Sequence, residues 1–231
     1  MHPFFKKTHK GLIVSCQAEG DSPFNNPQGL AAFAICAQMG GAAAIRTEGI
    51  QKVQEIKKKV SLPLIGLVKS GFDDGYVRIT GTEKDVKDLL DTGCDMVAID
   101  GTSRLREKMT GPEFIAMVKN KYRVLVMADI ATKEEAIACY EAGANCISTT
   151  LSGYTPETVS QELRGPDFVL LDSLVKDLGD HLPIIAEGRF NTPELARQAI
   201  DLGAWAVVTG TAITRPQTIT KWFYDAINKN I

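Results

Sequence analysis

Eight short apolar segments, separated by stretches with helical patterning, are the feature that most limits how this chain can fold. The segments are nearly continuously apolar, as expected of parallel strands that are covered on both faces. An alternation of such strands with helices predicts repeated βα units. The segments lie at residues 12–16, 43–45, 64–68, 96–99, 124–128, 146–148, 184–186 and 206–208.

A recurring glycine marks the end of every second predicted helix. It occurs in Gly40-Gly41-Ala42, Gly93-Cys94-Asp95, Gly143-Ala144-Asn145 and Gly203-Ala204-Trp205. Glycine there can adopt the left-handed conformation that ends a helix and leads the chain into the next strand. Helix starts are marked in turn by Thr132, Thr155 and Thr192, the last two being followed by proline. The pattern indicates a two-strand unit used about four times.

The prediction is therefore an α/β fold, a (β/α)8 TIM barrel. The 231 residues are close to the usual length of one such barrel, so we expect a single domain over residues 1–231, with residues 1–10 as an N-terminal leader. A doubly wound open sheet is the competing fold. It would usually carry a glycine-rich nucleotide loop after its first strand, whereas Ser15-Cys16-Gln17-Ala18-Glu19 stands there.

Composition excludes several classes of function. A net charge of -2, without a basic patch, gives no electrostatic reason to bind nucleic acid or an anionic membrane. The leader is basic, but its apolar part is too short for a signal peptide, and no later segment could span a bilayer. We therefore expect a cytoplasmic protein with no nucleic-acid or membrane partner.

Metal and disulfide sites are not expected either. The five cysteines fall in apolar stretches without a CxxC pair, which predicts buried reduced thiols. The three histidines lie in the leader and in one predicted loop, which leaves little from which to build a histidine metal site.

A ring of polar residues is predicted at one mouth of the barrel. Almost every apolar segment stops at a polar or ionisable residue, and the carboxyl ends of barrel strands converge on one face. Single residues of this kind also simply mark where a strand leaves the core, but together they indicate a substrate pocket. The ring consists of Gln17, Arg46, Lys69, Asp100, Asp129, Thr149, Thr150, Glu187, Gly210 and Thr211.

A phosphate site is predicted after the last two strands. Glycines at this place let backbone N–H groups approach an anion closely, and the start of a short helix would add its dipole. Arg215 follows within a few residues and could bind a phosphate with two hydrogen bonds. The candidate phosphate residues are Gly188, Arg189, Gly210, Thr211 and Arg215.

With these residues in place, the chain resembles the N-acylglucosamine-6-phosphate 2-epimerases, also described as N-acetylmannosamine-6-phosphate 2-epimerases of sialic acid breakdown. The resemblance covers nearly the whole chain. It rests on Ser15-Cys16-Gln17, Ala44-Ile45-Arg46, Pro63-Leu64-Ile65-Gly66-Leu67-Val68-Lys69, Met127-Ala128-Asp129, Thr149-Thr150-Leu151-Ser152-Gly153-Tyr154-Thr155, Ala186-Glu187-Gly188-Arg189 and Gly210-Thr211-Ala212-Ile213-Thr214-Arg215-Pro216.

The resemblance implies an isomerase that interconverts N-acetylmannosamine 6-phosphate and N-acetylglucosamine 6-phosphate without a metal or other cofactor, often as a homodimer. It makes Lys69 the acid/base at C2 and Glu187 the second catalytic group. It also implies substrate-binding roles, which we assign to Gln17, Arg46, Asp129 and Thr150.

Elementary chemistry agrees with these roles. C2 of the sugar becomes acidic only when C1 is an aldehyde, so the ring must open and the C2 proton must then be removed and returned. A lysine base must be neutral, which predicts a depressed pKa for Lys69, and partial burial should raise the pKa of Glu187. Which proton step belongs to Glu187 stays open.

Three other functions compete. Lys69 could form a Schiff base, as in carbonyl-cleaving aldolases on this barrel. A metal-dependent pentose-phosphate epimerase would need histidines at the strand ends. A non-catalytic sugar-phosphate sensor would not need both Lys69 and Glu187. Residues 72–82 could form either a loop over the pocket or a surface excursion.

Overall fold

The computed structural model describes residues 1–159 and 165–228 of the chain. In chain order the strands are β1 (Gly11–Cys16), β2 (Ala44–Glu48), β3 (Leu64–Leu67), β4 (Lys69–Gly71), β5 (Val77–Ile79), β6 (Met96–Asp100), β7 (Leu125–Asp129), β8 (Cys146–Ser148), β9 (Ile184–Glu187) and β10 (Ala206–Thr209). The helices are α1 (Pro3–Thr8), α2 (Pro27–Met39), α3 (Ile50–Lys59), α4 (Glu83–Asp91), α5 (Gly111–Lys121), α6 (Lys133–Glu141), α7 (Phe168–Leu178), α8 (Pro193–Asp201), α9 (Thr211–Thr214) and α10 (Pro216–Asn228).

Eight of the strands form a closed barrel in which every neighbouring pair is parallel. Their order around the barrel is β1-β10-β9-β8-β7-β6-β3-β2. Each of the eight apolar segments in the sequence coincides with one of these strands, so the predicted (β/α)8 barrel is confirmed. The remaining two strands, β4 and β5, form an antiparallel hairpin directly after β3.

The recurring glycines have the conformation predicted for them. Gly41, Gly93, Gly143 and Gly203 have positive φ angles of 89°, 71°, 90° and 102°. A side chain is strained in this region of backbone space, which accounts for glycine at the exit of α2, α4, α6 and α8.

Two of the three marked helix starts are confirmed. The Thr132 side chain accepts from the backbone N–H of Glu135 in a reciprocal capping box, and Thr192 accepts from that of Leu195. For the third, the Val159 N–H donates to the Thr155 C=O at 2.8 Å, while residues 156–158 form turns. The chain beyond 159 in this segment lies outside the described residues.

The core has a layer inside the barrel and another between the barrel and its helices. The inner layer contains Ile13, Met127 and Ile185, which are fully buried. At its amino end α1 closes the barrel with Phe4 and Phe5, both at most 5% exposed. The predicted leader therefore contributes to the core of the domain.

Candidate active site

A cavity of about 360 Å³ opens at the carboxyl end of the barrel strands. Ten of the eleven predicted site residues line it, and the eleventh, Asp129, is fully buried and bonded to two of them. The predicted residues on the cavity wall are Gln17, Arg46, Lys69, Thr150, Glu187, Gly188, Arg189, Gly210, Thr211 and Arg215. Catalytic and phosphate candidates from distant parts of the sequence thus share one space.

The period of two along a strand explains why these side chains meet. Successive side chains on a strand point to opposite faces, so the residue two places after an inward-facing core residue also points inward. Arg46 follows Ala44, Asp129 follows Met127, and Glu187 follows Ile185 in this way, and the three leading residues belong to the inner core layer.

An ion-pair network crosses the floor of the cavity. Arg46 donates from Nη2 to Asp129 Oδ2 at 2.6 Å and from Nη1 to Asp129 Oδ1 at 3.0 Å. Arg46 Nη1 also lies 3.3 Å from Glu187 Oε2. Burial alone would lower the pKa of Arg46, but Asp129 and Glu187 outweigh it, and the net pKa is raised. Arg46 is therefore a permanent cation in this network.

Hydroxyl groups on β8 and the segment after it connect the two carboxylates. The Thr150 hydroxyl donates to Asp129 Oδ1 at 2.7 Å and lies 2.8 Å from the Ser148 hydroxyl. Ser148 in turn donates to Glu187 Oε2 at 3.3 Å. The side chain of Thr149 has a different role, because its hydroxyl bonds the backbone N–H and C=O of Glu187. These contacts fix Glu187 in place.

Glu187 has the environment expected of an acid/base group. Burial raises its pKa, Arg46 partly opposes that shift, and the nearby charge of Asp129 adds to it. A carboxyl with a raised pKa can hold a proton at higher pH than usual and release it when a base approaches.

Lys69 enters the cavity from the opposite wall. It is the first residue of β4 and pairs with Ile79 of β5, which also lines the cavity, so the hairpin forms part of the cavity wall. Its ammonium nitrogen lies 3.5 Å from Glu19 Oε1, and the side chain is 35% exposed. The group can therefore reach both solvent and a molecule in the cavity.

The predicted phosphate residues follow the carboxyl ends of β9 and β10 and line the cavity there. Gly188, after β9, has a φ of 109°, which only glycine adopts without strain. Gly210 precedes the short helix α9, which begins at Thr211, and Arg215 follows the helix. This is the glycine, helix start and arginine arrangement that the sequence predicts.

The Arg189 side chain is occupied by its own chain. Its Nε donates to the carbonyl of Gly165 at 2.7 Å and its Nη2 to that of Ser152 at 2.9 Å. The guanidinium carbon also lies 4.9 Å from the centre of the Tyr154 ring. Arg189 holds the segment after β8 beside the cavity, and its role in phosphate binding stays a prediction.

Three members of the predicted polar ring do not line the cavity: Asp129 and Thr149, which bond to residues of its wall, and Asp100. Asp100 is fully buried and pairs with Arg104 at 2.8 Å and Arg106 at 3.1 Å. Two arginines from the segment after β6 enclose this carboxylate, so it stabilises that segment and does not face the substrate space. Gln17, in contrast, lines the cavity and donates to the Ser15 hydroxyl at 2.8 Å.

Sequence reasoning missed several cavity residues. Glu19 continues the period of two from Ser15 and Gln17, and this signal could have identified it. Tyr154 belongs to a motif quoted for the resemblance, but nothing in the sequence aims it at the cavity. The missed residues are Ser15, Glu19, Ile79, Leu151, Tyr154, Asn191 and Val208.

The described residues contain neither a metal-binding cluster nor a membrane-spanning helix. In residues 1–159 and 165–228, no group of three or more histidine, cysteine, aspartate or glutamate side chains is arranged to hold a metal ion. Among the helices within those same residues, none has both the length and the apolar character needed to cross a membrane.

Comparison with known proteins identifies the family. The family model described as "Putative N-acetylmannosamine-6-phosphate epimerase" matches residues 30–229. A protein of Clostridioides difficile (strain 630) named "Putative N-acetylmannosamine-6-phosphate 2-epimerase" is 48% identical over 220 residues, which cover 95% of this chain and 96% of that protein. A protein with the same name from Escherichia coli O1:K1 / APEC is 44% identical over 222 residues, covering 96% of this chain and 93% of its own length.

Solved structures agree. The N-acetylmannosamine-6-phosphate 2-epimerase from Clostridium perfringens is similar with a TM-score of 0.90 and 44% identity, covering 97% of this chain and 96% of its own. A thiamine phosphate pyrophosphorylase from Pyrococcus furiosus has a TM-score of 0.61 and 16% identity over 94% of this chain and 92% of its own, which shows the shared barrel fold alone. From the family model and these relatives, the chain belongs to the N-acetylmannosamine-6-phosphate epimerase family.

Proposed function

We propose that this protein is an isomerase that interconverts N-acetylmannosamine 6-phosphate and N-acetylglucosamine 6-phosphate in the breakdown of sialic acid and other amino sugars. The observation that carries the proposal is that Lys69, Glu187 and Arg215 line one cavity. An amine, a carboxyl with a raised pKa and an arginine beside two glycines are the groups that this reaction requires. Membership of the family, and the names of the relatives, support the same activity.

The proposed chemistry begins with ring opening, because the C2 proton becomes acidic only next to an aldehyde at C1. Glu187 is suited to moving protons between sugar oxygens, since its raised pKa lets it act as both acid and base. Lys69, as the neutral amine, then removes the C2 proton. After the enolate turns its other face towards Lys69, the protonated amine returns a proton to C2.

Arg46 is placed to stabilise the negative charge that develops during this step. It lines the cavity and keeps its positive charge, and its own partners Asp129 and Glu187 hold its guanidinium in position. A fixed cation that needs no reorganisation lowers the energy of an enolate-like transition state. Gln17 and Thr150 also line the cavity and offer hydrogen bonds to the sugar and its N-acetyl group.

The phosphate is proposed to bind between Gly188, Gly210, Thr211 and Arg215. Backbone N–H groups beside glycine can approach the anion closely, and Arg215 adds a charge-assisted hydrogen bond. Holding the phosphate at this end of the cavity fixes the distance from the phosphate to the reacting carbon, which orients C2 for Lys69.

Proton NMR of the purified protein with N-acetylmannosamine 6-phosphate tests the proposal. We expect the anomeric signals of N-acetylglucosamine 6-phosphate to appear until equilibrium is reached, with the same end point from either sugar. Absence of conversion from both sides would contradict the proposed activity.

The competing reactions have their own tests. Borohydride added during turnover should leave the protein mass unchanged, because no Schiff base forms on Lys69. A chelator should leave the rate unchanged if the reaction needs no metal. Reductive trapping of the sugar on Lys69 would favour an aldolase, and loss of activity with chelator would favour a metal-dependent epimerase.

We also propose that the protein acts as a homodimer in the cytoplasm. Support for the dimer comes from α10, which has no buried residue and exposes Phe223 (69%), Tyr224 (64%) and Ile227 (76%). An apolar face of this kind on a helix marks a protein contact. Light scattering after gel filtration should give twice the mass of the chain, and Phe223→Asp should shift the mass to one chain. A monomeric wild type would contradict the dimer.

A further inference from the structure

Glu19 lies at the mouth of the cavity between two cations that have separate tasks in the proposed function. Its Oε1 atom is 2.6 Å from Arg215 Nη2 and 3.5 Å from Lys69 Nζ. The three residues come from different parts of the chain, so tertiary structure and not local sequence brings them together. One carboxylate oxygen therefore serves both the proposed phosphate arginine and the proposed base.

Electrostatics keep Glu19 in its ionised form. Burial alone would raise its pKa, but Arg215 and Lys69 outweigh that effect, and the net pKa is lowered. An ionised carboxylate on Arg215 stands where the substrate's phosphate is proposed to bind. Two anions on one guanidinium repel each other, so the phosphate and Glu19 compete for Arg215.

The same carboxylate affects Lys69. The Lys69 nitrogen that is proposed to accept the C2 proton lies in an ion pair with Glu19. While Glu19 stays in place, this contact holds the nitrogen at the carboxylate at the cavity mouth. Separation of Glu19 from Lys69 therefore frees the nitrogen to approach C2.

We propose that Glu19 is an internal anion that occupies Arg215 in the free protein and is displaced by the phosphate of the substrate, which separates Glu19 from Lys69. The proposal rests on the proposed function and makes Glu19 a specificity-determining residue for phosphorylated sugars. A neutral sugar has no charge with which to displace the Glu19 carboxylate. Lys69 therefore stays paired with Glu19 when such a sugar binds.

The location of Glu19 allows such an exchange. The side chain is 57% exposed, and the residue lies in the irregular segment between β1 and α2, next to Gly20 with a φ of 55°. Exposed ion pairs contribute little net stability, because water solvates both charges when they separate. A dianionic phosphate that approaches Arg215 therefore replaces a weakly held partner.

Titration calorimetry with inorganic phosphate tests the competition directly. At low ionic strength the full-length Glu19→Gln variant should bind phosphate with a Kd about 2- to 5-fold lower than wild type, the range expected from losing one exposed ion pair. Glu19→Ala should give the same shift. An unchanged or higher Kd in both variants would overturn the proposal.

A matched control separates competition from a general change of charge. Glu48 ends β2 at the same end of the barrel and pairs with Lys52 at 2.9 Å, but it is not part of the cavity wall. Glu48→Gln removes the same charge and should leave the phosphate Kd unchanged. An equal shift in this control would show a long-range charge effect and overturn the local competition.

Turnover tests the effect on specificity. In Glu19→Gln the kcat for unphosphorylated N-acetylmannosamine should rise, while kcat for N-acetylmannosamine 6-phosphate stays within about 2-fold, so the ratio of the second kcat to the first should fall. An unchanged ratio, or a loss of kcat like that of a missing base, would overturn the specificity role. The phosphate titration does not depend on turnover. A wild type without epimerase activity would contradict the proposed function, while the titration would still test the competition for Arg215.

Discussion

Arg46 and Asp129 form a two-pronged ion pair inside the barrel, with Nη–Oδ distances of 2.6 and 3.0 Å and side chains at most 1% exposed. The two residues lie on β2 and β7, which are separated by β3 and β6 around the barrel. The pair therefore crosses the interior and connects two walls of the cavity. Asp129 and Glu187 supply the charge compensation for this buried cation. Across residues 1–159 and 165–228, Arg46 Nε has no hydrogen-bond partner.

Removing Asp129 should destabilise the protein strongly. Asp129→Ala leaves the Arg46 cation buried with Glu187 as its one remaining ion-pair partner in the described part of the chain. Breaking one side of a buried ion pair costs about 3–5 kcal/mol in the free energy of unfolding. Urea unfolding followed by circular dichroism measures this value. As a control, Asp201→Ala removes the partner of Arg197 in an exposed pair and should cause a much smaller change. Equal effects of the two substitutions would contradict the account of the buried pair.

Glu187→Gln should abolish activity. It should also make the fold more stable than that of the wild type, by an amount that grows as pH rises. The folded protein holds the Glu187 proton above the ordinary carboxyl pKa of 4.5, whereas the unfolded chain releases it there. The folded state then binds more protons, so wild-type stability falls as pH rises through the interval between the two pKa values. Glutamine does not ionise, and Arg46 keeps Asp129 as its partner.

The measurement is the Tm difference between Glu187→Gln and wild type across a pH series. We expect the variant's advantage to grow as pH rises above the ordinary carboxyl range and to be smallest at acid pH. A difference that shrinks with rising pH would mean that the Glu187 pKa is lowered in the fold.

Arg215→Ala should mainly weaken binding of the phosphorylated sugar. The charge-assisted hydrogen bond to phosphate is lost, and such bonds contribute about 1.5–3 kcal/mol, so KM should rise on the order of 10- to 100-fold. Steady-state kinetics with N-acetylmannosamine 6-phosphate gives the value, and Arg197→Ala on the exposed face of α8 is the control. An unchanged KM would mean that the phosphate binds elsewhere.

Much of the site could be predicted because two rules place it. Parallel barrel strands end at one face, so the strand-end positions of Arg46, Asp129 and Glu187 predict that they meet at one mouth of the barrel. The period of two along each strand then accounts for their inward direction in the structure. The family resemblance adds the roles of Lys69 and Glu187. The comparisons confirm the family, while the roles of individual residues stay predictions.

Contacts made by long side chains were not predictable from the sequence. Arg189 donates to backbone carbonyls after β8, and Asp100 pairs with two arginines of its own segment, because these nearby partners satisfy their hydrogen bonds. Residues 72–82, for which the sequence left two alternatives, lie largely in the β4–β5 hairpin, whose Ile79 lines the cavity. Glu19 meets Lys69 and Arg215 only once the barrel closes.

Lys69 is proposed to move the proton at C2, and hydrogen exchange in deuterium oxide measures that step. In the wild type the C2 hydrogen of N-acetylmannosamine 6-phosphate should be replaced by deuterium as epimerisation proceeds. Lys69→Ala should lose both exchange and epimerisation by about 10²- to 10⁴-fold or more, while inorganic phosphate still binds. Rapid C2 exchange in Lys69→Ala would contradict the account.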